Sequence, residues 1–376
     1  MSTVLLLCAH RPKRSPSQRY RFEQYLPFLQ QNGFNFTWSF LLNEKDDKIF
    51  YGKGKTFSKI FILIKSIFIR LKDVRRFKKF DIIFIQREAL FLGTSYFEKK
   101  AFKSDAKVIF DFDDSIWFAD TSPENKKWEF IKKPQKFYEN IFFAHTIIAG
   151  NNYLADTALK SLSLKQSKLY PLEITGNEPD INIYVIPTTI DTHFHIPKPE
   201  LRNKALITIG WSGSISTIKH FELLVPVLCQ VANRYNNKVR FKIIGQTNYS
   251  NNLLPVETLN WSEETEVDNL NSFDIGIMPL PNNEWAKGKC GLKGLSYMAC
   301  GVPTIMSNVG VNADIIKNGE NGFLANTEED WLNYLIKLIE DKELRLKIGD
   351  AGRKTVIERY SVDANKHLYL NVFSEV

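Results

Sequence analysis

The chain has 376 residues, a formal net charge of +8 and 44% hydrophobic residues. This length predicts two domains of roughly 150 residues or more, each with a buried core. The basic excess favours polyanions, nucleotide phosphates or an anionic membrane surface as partners. The four cysteines have no CxxC spacing, so we expect reduced thiols in a cytoplasmic protein. We expect no signal peptide and no membrane span, because no basic region precedes the first apolar run and no apolar run reaches about 20 residues.

The first part of the chain predicts a β-α-β unit. Residues 4–9 form an apolar run typical of a buried strand, 18–31 have helical periodicity, and Phe34–Leu42 alternates as a strand does. Two further strands are predicted at 81–86 and Lys107–Phe112.

The segment 56–80 combines apolar residues at helical spacing with many lysines and arginines. A basic amphipathic helix of this kind is able to lie in an anionic membrane interface, which is one hypothesis for residues 57–80. The alternative is a domain helix whose apolar stripe packs on the sheet while its basic side faces water. The sequence leaves both open.

Carboxylates cluster at the end of the strand Lys107–Phe112, where Asp111 is followed by Asp113 and Asp114. Such a cluster is able to hold a divalent metal, bind sugar hydroxyls or anchor the loop. We favour an anchoring or acceptor-binding role, since no separate metal ligand is visible, and we predict no metal site.

The second half repeats the alternation of strands and helices. After a proline-containing linker at 187–203, strands are predicted at 205–211, 239–245, 273–278 and 303–306, with helices at 219–235, 292–300 and 361–376. Two successive sets of this kind predict two Rossmann-like domains.

Two loops in the second half are candidates for binding a diphosphate. One contains Gly213 and Ser214, and the other spans 288–291, with Gly288, Cys290 and Gly291. Both precede helices, whose N-terminal N–H groups attract anions. Lys219, Lys289 and Lys293 would add positive charge, and Leu292 and Ser296 lie in the helix behind the second loop. The alternative is a solvated basic loop before an ordinary buried helix.

Other chemistries have little support. The sequence contains no Walker loop, no GxGxxG fingerprint and no GxSxG elbow, which argues against an ATPase, a dinucleotide-dependent enzyme or a serine hydrolase. No nucleic-acid motif occurs, so we expect no nucleic acid as partner.

The second half resembles glycosyltransferase family 4, the retaining nucleotide-sugar transferases of GT-B fold. The matching residues include DIGIMPL (274–280), LSYMACGVPTIMSNVG (295–310) and NGENGFL (318–324). The first half matches more loosely through SPSQRYRFEQYLP (15–27) and FDFDDSIW (110–117).

The resemblance implies a GT-B architecture. Two facing Rossmann-like domains would bind the acceptor (1–190) and the nucleotide sugar (200–360), and a last helix (361–376) would cross back to the first domain. It also implies a metal-independent reaction with no cofactor besides the donor substrate. Ser17, Arg19, Arg21, Asp113 and Asp114 would lie on the acceptor side, where the arginines would bind a lipid-linked phosphate or remain surface charges.

The sequence departs from the family at the donor site. Where the family has two glutamates with seven residues between them, this chain has Gly288 and Ser296. Ser214 stands near the place of the usual arginine, while Lys219 matches the partner lysine. We therefore expect a subgroup with a GKCGLK motif (288–293), in which Lys289 and Lys293 supply the charge.

The expected function is glycosyl transfer to a glycan or lipid-linked acceptor in cell-surface polysaccharide synthesis, by a cytoplasmic protein at the inner face of the membrane. The missing glutamates leave open a catalytically impaired sugar-nucleotide-binding scaffold. An epimerase or phosphorylase of the same architecture is a third hypothesis.

Overall fold

The computed structural model describes the chain except residues 53, 119–132, 164–180, 203–204, 215–216 and 246–247. The chain divides into two compact units, of which the first comprises Met1–Pro187 with Lys366–Val376 and the second comprises Thr188–Asn365. In the part of the chain that the structure describes, each unit contains a six-stranded sheet whose neighbouring strands are all parallel. The α/β class and the two Rossmann-like sets predicted from the sequence are confirmed.

The strands of the first unit follow the apolar runs of the sequence. In chain order they are β1 (Ser2–His10), β2 (Phe34–Leu42), β3 (Ile82–Gln86), β4 (Lys107–Phe112), β5 (Thr146–Ala149) and β6 (Asn182–Val185). Their order in the sheet is β2-β1-β3-β4-β5-β6. The direction of winding therefore reverses between β1 and β3, and ligands of open parallel sheets bind beyond the carboxyl ends of the strands at such a point.

The second sheet is built in the same way. Its strands are β7 (Ile207–Ser212), β8 (Val239–Ile244), β9 (Val256–Leu259), β10 (Ile275–Met278), β11 (Thr304–Ser307) and β12 (Phe323–Ala325). The order β12-β11-β10-β7-β8-β9 puts the reversal between β7 and β10.

Helices separate most of the strands along the chain. In the first unit they are α1 (Pro16–Arg19), α2 (Leu26–Gln31), α3 (Glu44–Phe50), α4 (Thr56–Val74), α5 (Tyr96–Phe102), α6 (Lys136–Asn140) and α7 (Asn152–Ser163). Those after Thr188 are α8 (Ile218–Glu222), α9 (Val225–Tyr235), α10 (Glu266–Asn271), α11 (Glu284–Lys287), α12 (Leu292–Ala299), α13 (Asn312–Ile315), α14 (Glu328–Glu340), α15 (Lys342–Thr355) and α16 (Val362–Glu375).

Two helices predicted as continuous are broken. The segment 18–31 is divided between the end of α1, a 3₁₀ turn at Glu23–Tyr25 and α2. The segment 219–235 is divided between α8, which begins at Ile218, and α9. Pro27 and Pro226 lie in the first turn of α2 and α9. Proline has no amide N–H, so it is tolerated in a first turn but interrupts the hydrogen bonds of a continuous helix.

The last helix completes the core of the first unit. Tyr369 is fully buried, and its ring stacks on that of Tyr25 at a centroid distance of 4.3 Å. Phe373 contacts the rings of Phe34 and Phe84 at 5.5 and 5.9 Å. Residues from the end of the chain therefore fill the core formed by its beginning.

Helix α4 packs with its polar face inward, so the hypothesis of an apolar stripe packed on the sheet is wrong. The buried positions are Lys59, Ile62, Ser66, Arg70 and Asp73. The large apolar residues on the other side are exposed, namely Phe57, Ile60, Phe61, Ile64, Phe68 and Leu71.

Arg70 makes this inverted packing possible. Its guanidinium is fully buried and donates to the carbonyls of Cys8 (2.8 Å) and Ala89 (2.6 Å) and to the hydroxyl of Ser39 (2.8 Å). It also pairs with Asp73 at 2.9 Å. A buried charge is tolerated when it is paired and its donors are satisfied, and Arg70 meets both conditions.

We expect Arg70→Gln to lower the free energy of unfolding of the first unit by about 3 kcal/mol, because three acceptors lose their donor and Asp73 loses a partner. Urea denaturation followed by fluorescence measures this. Lys72→Gln, at an exposed site on the same helix, is the control and should change stability by less than about 0.5 kcal/mol. Equal effects of the two variants would show that the Arg70 contacts contribute nothing specific.

Candidate functional site

The candidate site of the second unit lies where the winding of its sheet reverses. β7 and β10 are neighbours, with Gly210 opposite Gly276. The loop after β7 contains Gly213 and Ser214, and the loop after β10 leads through α11 to Gly288 and Gly291. Because parallel strands end at the same edge of the sheet, the two predicted diphosphate loops meet there.

The loop after β7 is closely packed. A side chain at Gly213 would overlap the ring of Trp211 and the hydroxyl of Thr217, so only glycine fits. The amide of Ser214 donates to the Thr217 hydroxyl at 3.0 Å, and the Thr217 amide donates to the Ser214 carbonyl at 2.9 Å. Residues 215–216 of this loop are outside the described range.

Tyr297 of α12 joins the two loops. Its hydroxyl accepts from the backbone amide of Ser212 at 2.8 Å and lies 3.0 Å from the Ser212 hydroxyl. The fully buried ring packs against Gly276, where any side chain would overlap it. The start of α12 is therefore fixed relative to the end of β7.

The three predicted lysines lie over two tryptophan rings. Lys289 Nζ is 3.7 Å from the centroid of the Trp285 ring, and Lys219 Nζ is 5.4 Å from the same centroid. Lys293 Nζ lies 5.7 Å from the ring centroid of Trp211. The negative face of an aromatic ring attracts cations, so these rings hold the ammonium groups near one another.

His220 marks the centre of this lysine cluster. Its ring stacks on Trp285 at a centroid distance of 5.1 Å and an interplanar angle of 28°. Burial lowers the pKa of His220, and the charges of Lys293, Lys219 and Lys289 add to this effect, so that the pKa is about 4. The ring is therefore neutral at pH 7, and all three ammonium groups act on it. Within the described chain, its Nε2 is buried without a hydrogen-bond partner.

The N-terminus of α12 adds to the positive potential. Gly291 at the N-cap has a φ of +71° and offers no side-chain cap, and the first turn contains no acidic residue. Lys293 lies in this turn instead, although a cation is disfavoured at the positive end of the helix dipole. A bound anion would compensate both charges, so the diphosphate predicted for this loop stays a prediction that the local electrostatics favour.

The remaining predicted donor residues lie at the end of α11, in the loop that follows it and in α12. Gly288 is the C-cap of α11, and Cys290 is buried and not part of a disulfide. Leu292 begins α12 and is half-buried, and the hydroxyl of Ser296 donates to its carbonyl at 2.9 Å. This hydroxyl is thus engaged within its own helix.

In the first unit, Arg21 does not have the position expected of an acceptor ligand. Its side chain is fully buried and pairs with the equally buried Asp111 at 2.6 Å, and it also donates to the carbonyl of Ile186. The expectation that Arg21 binds a phosphate is wrong on this geometry, because the guanidinium is inaccessible and already neutralised. Its role is to join the segment after β1 to β4.

Asp113 and Asp114 lie at the corresponding edge of the first sheet. Both pair with Arg87, at 2.9 and 3.4 Å, and each is partly exposed. Ser17 and Arg19 of α1 are also partly exposed, with the Arg19 guanidinium 5.0 Å from the ring centroid of Tyr20. These four residues therefore remain reachable from solvent, as acceptor-side residues would have to be.

Sequence reasoning missed Trp285, His220 and Arg87. Trp285 and His220 are 65 positions apart, and no local pattern indicates that they stack. Arg87 directly follows β3, and its position at a strand end was the available signal.

The low pKa of His220 can be measured by NMR titration, with the signal assigned through His220→Gln. We expect the ring to stay neutral down to about pH 4. Since the unfolded chain binds this proton near pH 6.5, the contribution of His220 to stability is lost as pH falls from 6.5 towards 4. A diphosphate bound at the two predicted loops would raise this pKa, because its charge would offset that of the lysines. A measured pKa near 6.5 in the folded protein would contradict the described cluster.

Within the described residues, no three His, Cys, Asp or Glu side chains come together as a metal site requires. None of the described helices is both long and apolar enough to cross a membrane.

Residues 207–341 match the family model of glycosyl transferases group 1. N-acetyl-alpha-D-glucosaminyl L-malate synthase of Bacillus anthracis is 30% identical over 92 residues, which is 24% of this chain and 24% of that protein. A probable sucrose-phosphate synthase of Thermosipho melanesiensis is 29% identical over 85 residues, which is 23% of this chain and 19% of that protein. The chain thus spans about a quarter or less of these curated relatives.

Solved structures resemble the whole chain. Anabaena Alr3699/HepE, in complex with UDP and glucose, has a TM-score of 0.68 and 14% identity, and both chains are covered completely. Sucrose-phosphate synthase of Thermosynechococcus elongatus has a TM-score of 0.69 and 12% identity, again over both whole chains. At these identities the likeness shows the fold alone. The chain therefore has the GT-B fold, and its residues 207–341 are similar to the group 1 glycosyltransferases.

Proposed function

We propose that this protein is a retaining glycosyltransferase that moves a sugar from a nucleotide-diphosphate donor to a glycan or lipid-linked acceptor in cell-surface polysaccharide synthesis. The main support is the meeting of Lys219, Lys289 and Lys293 around His220, at the carboxyl ends of β7 and β10. The resemblance of residues 207–341 to group 1 glycosyltransferases and the UDP complex of the HepE neighbour agree with this proposal.

The lysines would bind the diphosphate and stabilise the negative charge that develops on it as the sugar leaves. Preorganised charges of this kind contribute much of the barrier reduction when the leaving group is an anion. In the proposed reaction, the acceptor hydroxyl attacks from the face on which the diphosphate departs, so the anomeric configuration is retained. The positive charge would come from the lysines and the α12 N-terminus, without a cofactor besides the donor.

Donor recognition would differ from that of the wider family. Gly288 and Ser296 occupy the places of its two glutamates, and the Ser296 hydroxyl is engaged by the Leu292 carbonyl. We propose that the loops around Gly213, Ser214 and Gly291 bind the diphosphate through backbone amides, with Cys290 supporting the second loop. The GKCGLK motif (288–293) would then define a subgroup of its own.

The acceptor would bind to the first unit. Ser17, Arg19, Asp113 and Asp114 follow strand ends of its sheet and are partly exposed. We propose that they contact the acceptor, with Arg19 binding a lipid-linked phosphate, and that the protein acts at the inner face of the cytoplasmic membrane.

The absence of both glutamates supports a second candidate function, a sugar-nucleotide-binding scaffold without turnover. The two functions differ in one measurable respect. A transferase releases one nucleoside diphosphate per sugar transferred and only when an acceptor is present, whereas the scaffold binds the nucleotide and releases nothing.

We expect Lys289→Ala or Lys293→Ala to weaken UDP binding by about tenfold to a hundredfold, because each removes a charged contact to phosphate. Isothermal titration calorimetry measures the affinity. In the wild type, UDP binding should also change the fluorescence of Trp285, because Lys289 would move from the Trp285 ring towards the phosphates. The same variants should greatly lower the rate at which UDP is released from a UDP-sugar in the presence of an acceptor.

Lys287→Ala is the matched control for these variants. Lys287 is close in sequence but pairs with Glu284 at 2.5 Å, so its loss should leave UDP affinity nearly unchanged. Equal losses in Lys287→Ala and Lys289→Ala would reject the proposed site. UDP binding without turnover on any donor, across a panel of acceptors, would favour the scaffold.

A further inference from the structure

We propose that the outer face of α4 is a docking surface for an anionic lipid bilayer. This face consists of Phe57, Ile60, Phe61, Ile64, Phe68 and Leu71. Three of its phenylalanines, Phe57, Phe61 and Phe68, are 88%, 69% and 66% exposed. The spacing of three or four residues puts all six on one side of the helix. A contiguous apolar surface of this kind is uncommon on a protein that contacts only water.

The helix is unable to hide these rings by rotating. Its inner face is held by Arg70, which donates to the carbonyls of Cys8 and Ala89, and by Asp73, which accepts from the Ser39 hydroxyl at 2.6 Å. Any rotation that buried the phenylalanines would expose or orphan these groups. The outward direction of the apolar face is therefore fixed by the inner contacts.

The lysines and arginines around this apolar face indicate which kind of partner covers it. The segment 55–80 contains nine lysines and arginines and one acidic residue, Asp73, which is buried. Four cations at the end of the segment are exposed, namely Lys72, Arg75, Lys78 and Lys79. An apolar stripe adjoined by exposed cations matches the two components of an anionic bilayer, its acyl chains and its negative headgroups.

The length of α4 suits a helix lying in the plane of the interface. Nineteen residues extend over roughly 28 Å at 1.5 Å per residue, and the inner side of the helix is covered by its own unit. A second copy of this chain is a poorer partner, because its own exposed cations would face those of the first copy. An anionic bilayer would cover the apolar face of α4 with its acyl chains and pair the adjoining cations with its headgroups.

Docking through α4 would hold the first unit, the proposed acceptor unit, at the membrane. This link to a lipid-linked acceptor rests on the proposed function, whereas the membrane contact itself depends only on the geometry of α4.

The test is flotation of the full-length protein with vesicles of phosphatidylcholine, either alone or mixed with phosphatidylglycerol. We expect binding to the anionic vesicles and much less to the neutral ones. Phe61→Ser/Phe68→Ser should weaken binding by about tenfold or more, because two rings no longer enter the acyl region. Arg75→Glu/Lys78→Glu should weaken it by about tenfold or more through lost attraction, and added salt should reduce wild-type binding.

Matched controls separate these effects from general changes in hydrophobicity and charge. Leu159→Ser/Leu346→Ser removes two exposed apolar side chains elsewhere, and Lys342→Glu/Lys347→Glu makes the same change of charge in the second unit. Both should bind vesicles as the wild type does. Absence of vesicle binding by the wild type, or equal losses in the controls, would overturn the proposal.

Two further measurements complete the test. A wild-type dimer in light scattering that becomes monomeric in Phe61→Ser/Phe68→Ser would show that a second copy covers the face, and would also overturn the proposal. Calorimetry with UDP on the same samples separates this proposal from the proposed function. If the protein binds UDP but no vesicles, the membrane-docking proposal is rejected and the proposed donor site is not.

Discussion

The alignment of parallel strands is the constraint on which this molecule depends. Every strand of a sheet ends at the same edge, so residues far apart in sequence meet wherever the winding reverses. In the second unit this places the loops after β7 and β10 side by side, and Tyr297 fixes their separation through Ser212. Three like charges are then held together over aromatic rings. Such repulsion between like charges is typical of sites where a polyanion binds and compensates the charges.

Buried polar contacts fix the segments near the carboxyl ends of the strands in the first unit. The pair Arg21–Asp111 joins elements that are distant in the chain. The pair Arg70–Asp73 holds one face of α4 to the sheet. Arg21 was predicted to bind a phosphate, but both arginines lie in the protein interior. Lys219, Lys289 and Lys293, by contrast, are exposed or partly exposed to solvent.

The sheets were largely predictable, and the side-chain partners were not. Runs such as 81–86 and Lys107–Phe112 have mainly apolar residues because their strands are covered on both faces, so each was predicted within one residue. The edge strand β9 (Val256–Leu259) was missed, because its short, half-exposed residues have no such pattern. The orientation of α4 was unpredictable, since periodicity identifies an apolar face without indicating whether that face is buried. The lysines of the two predicted diphosphate loops were singled out from glycines and charge. Trp285 was missed because His220, on which its ring stacks, lies 65 positions earlier in α8.

The return of α16 to the first unit determines the order in which the chain can fold during synthesis. The second unit is one uninterrupted stretch, Thr188–Asn365, which is synthesised before Tyr369 and Phe373. The first unit lacks these two side chains while the second unit is made, so the aromatic surface around Tyr25, Phe34 and Phe84 stays uncovered during that time. The half that is made first is therefore completed last, and in the meantime its uncovered core is a natural binding surface for a chaperone.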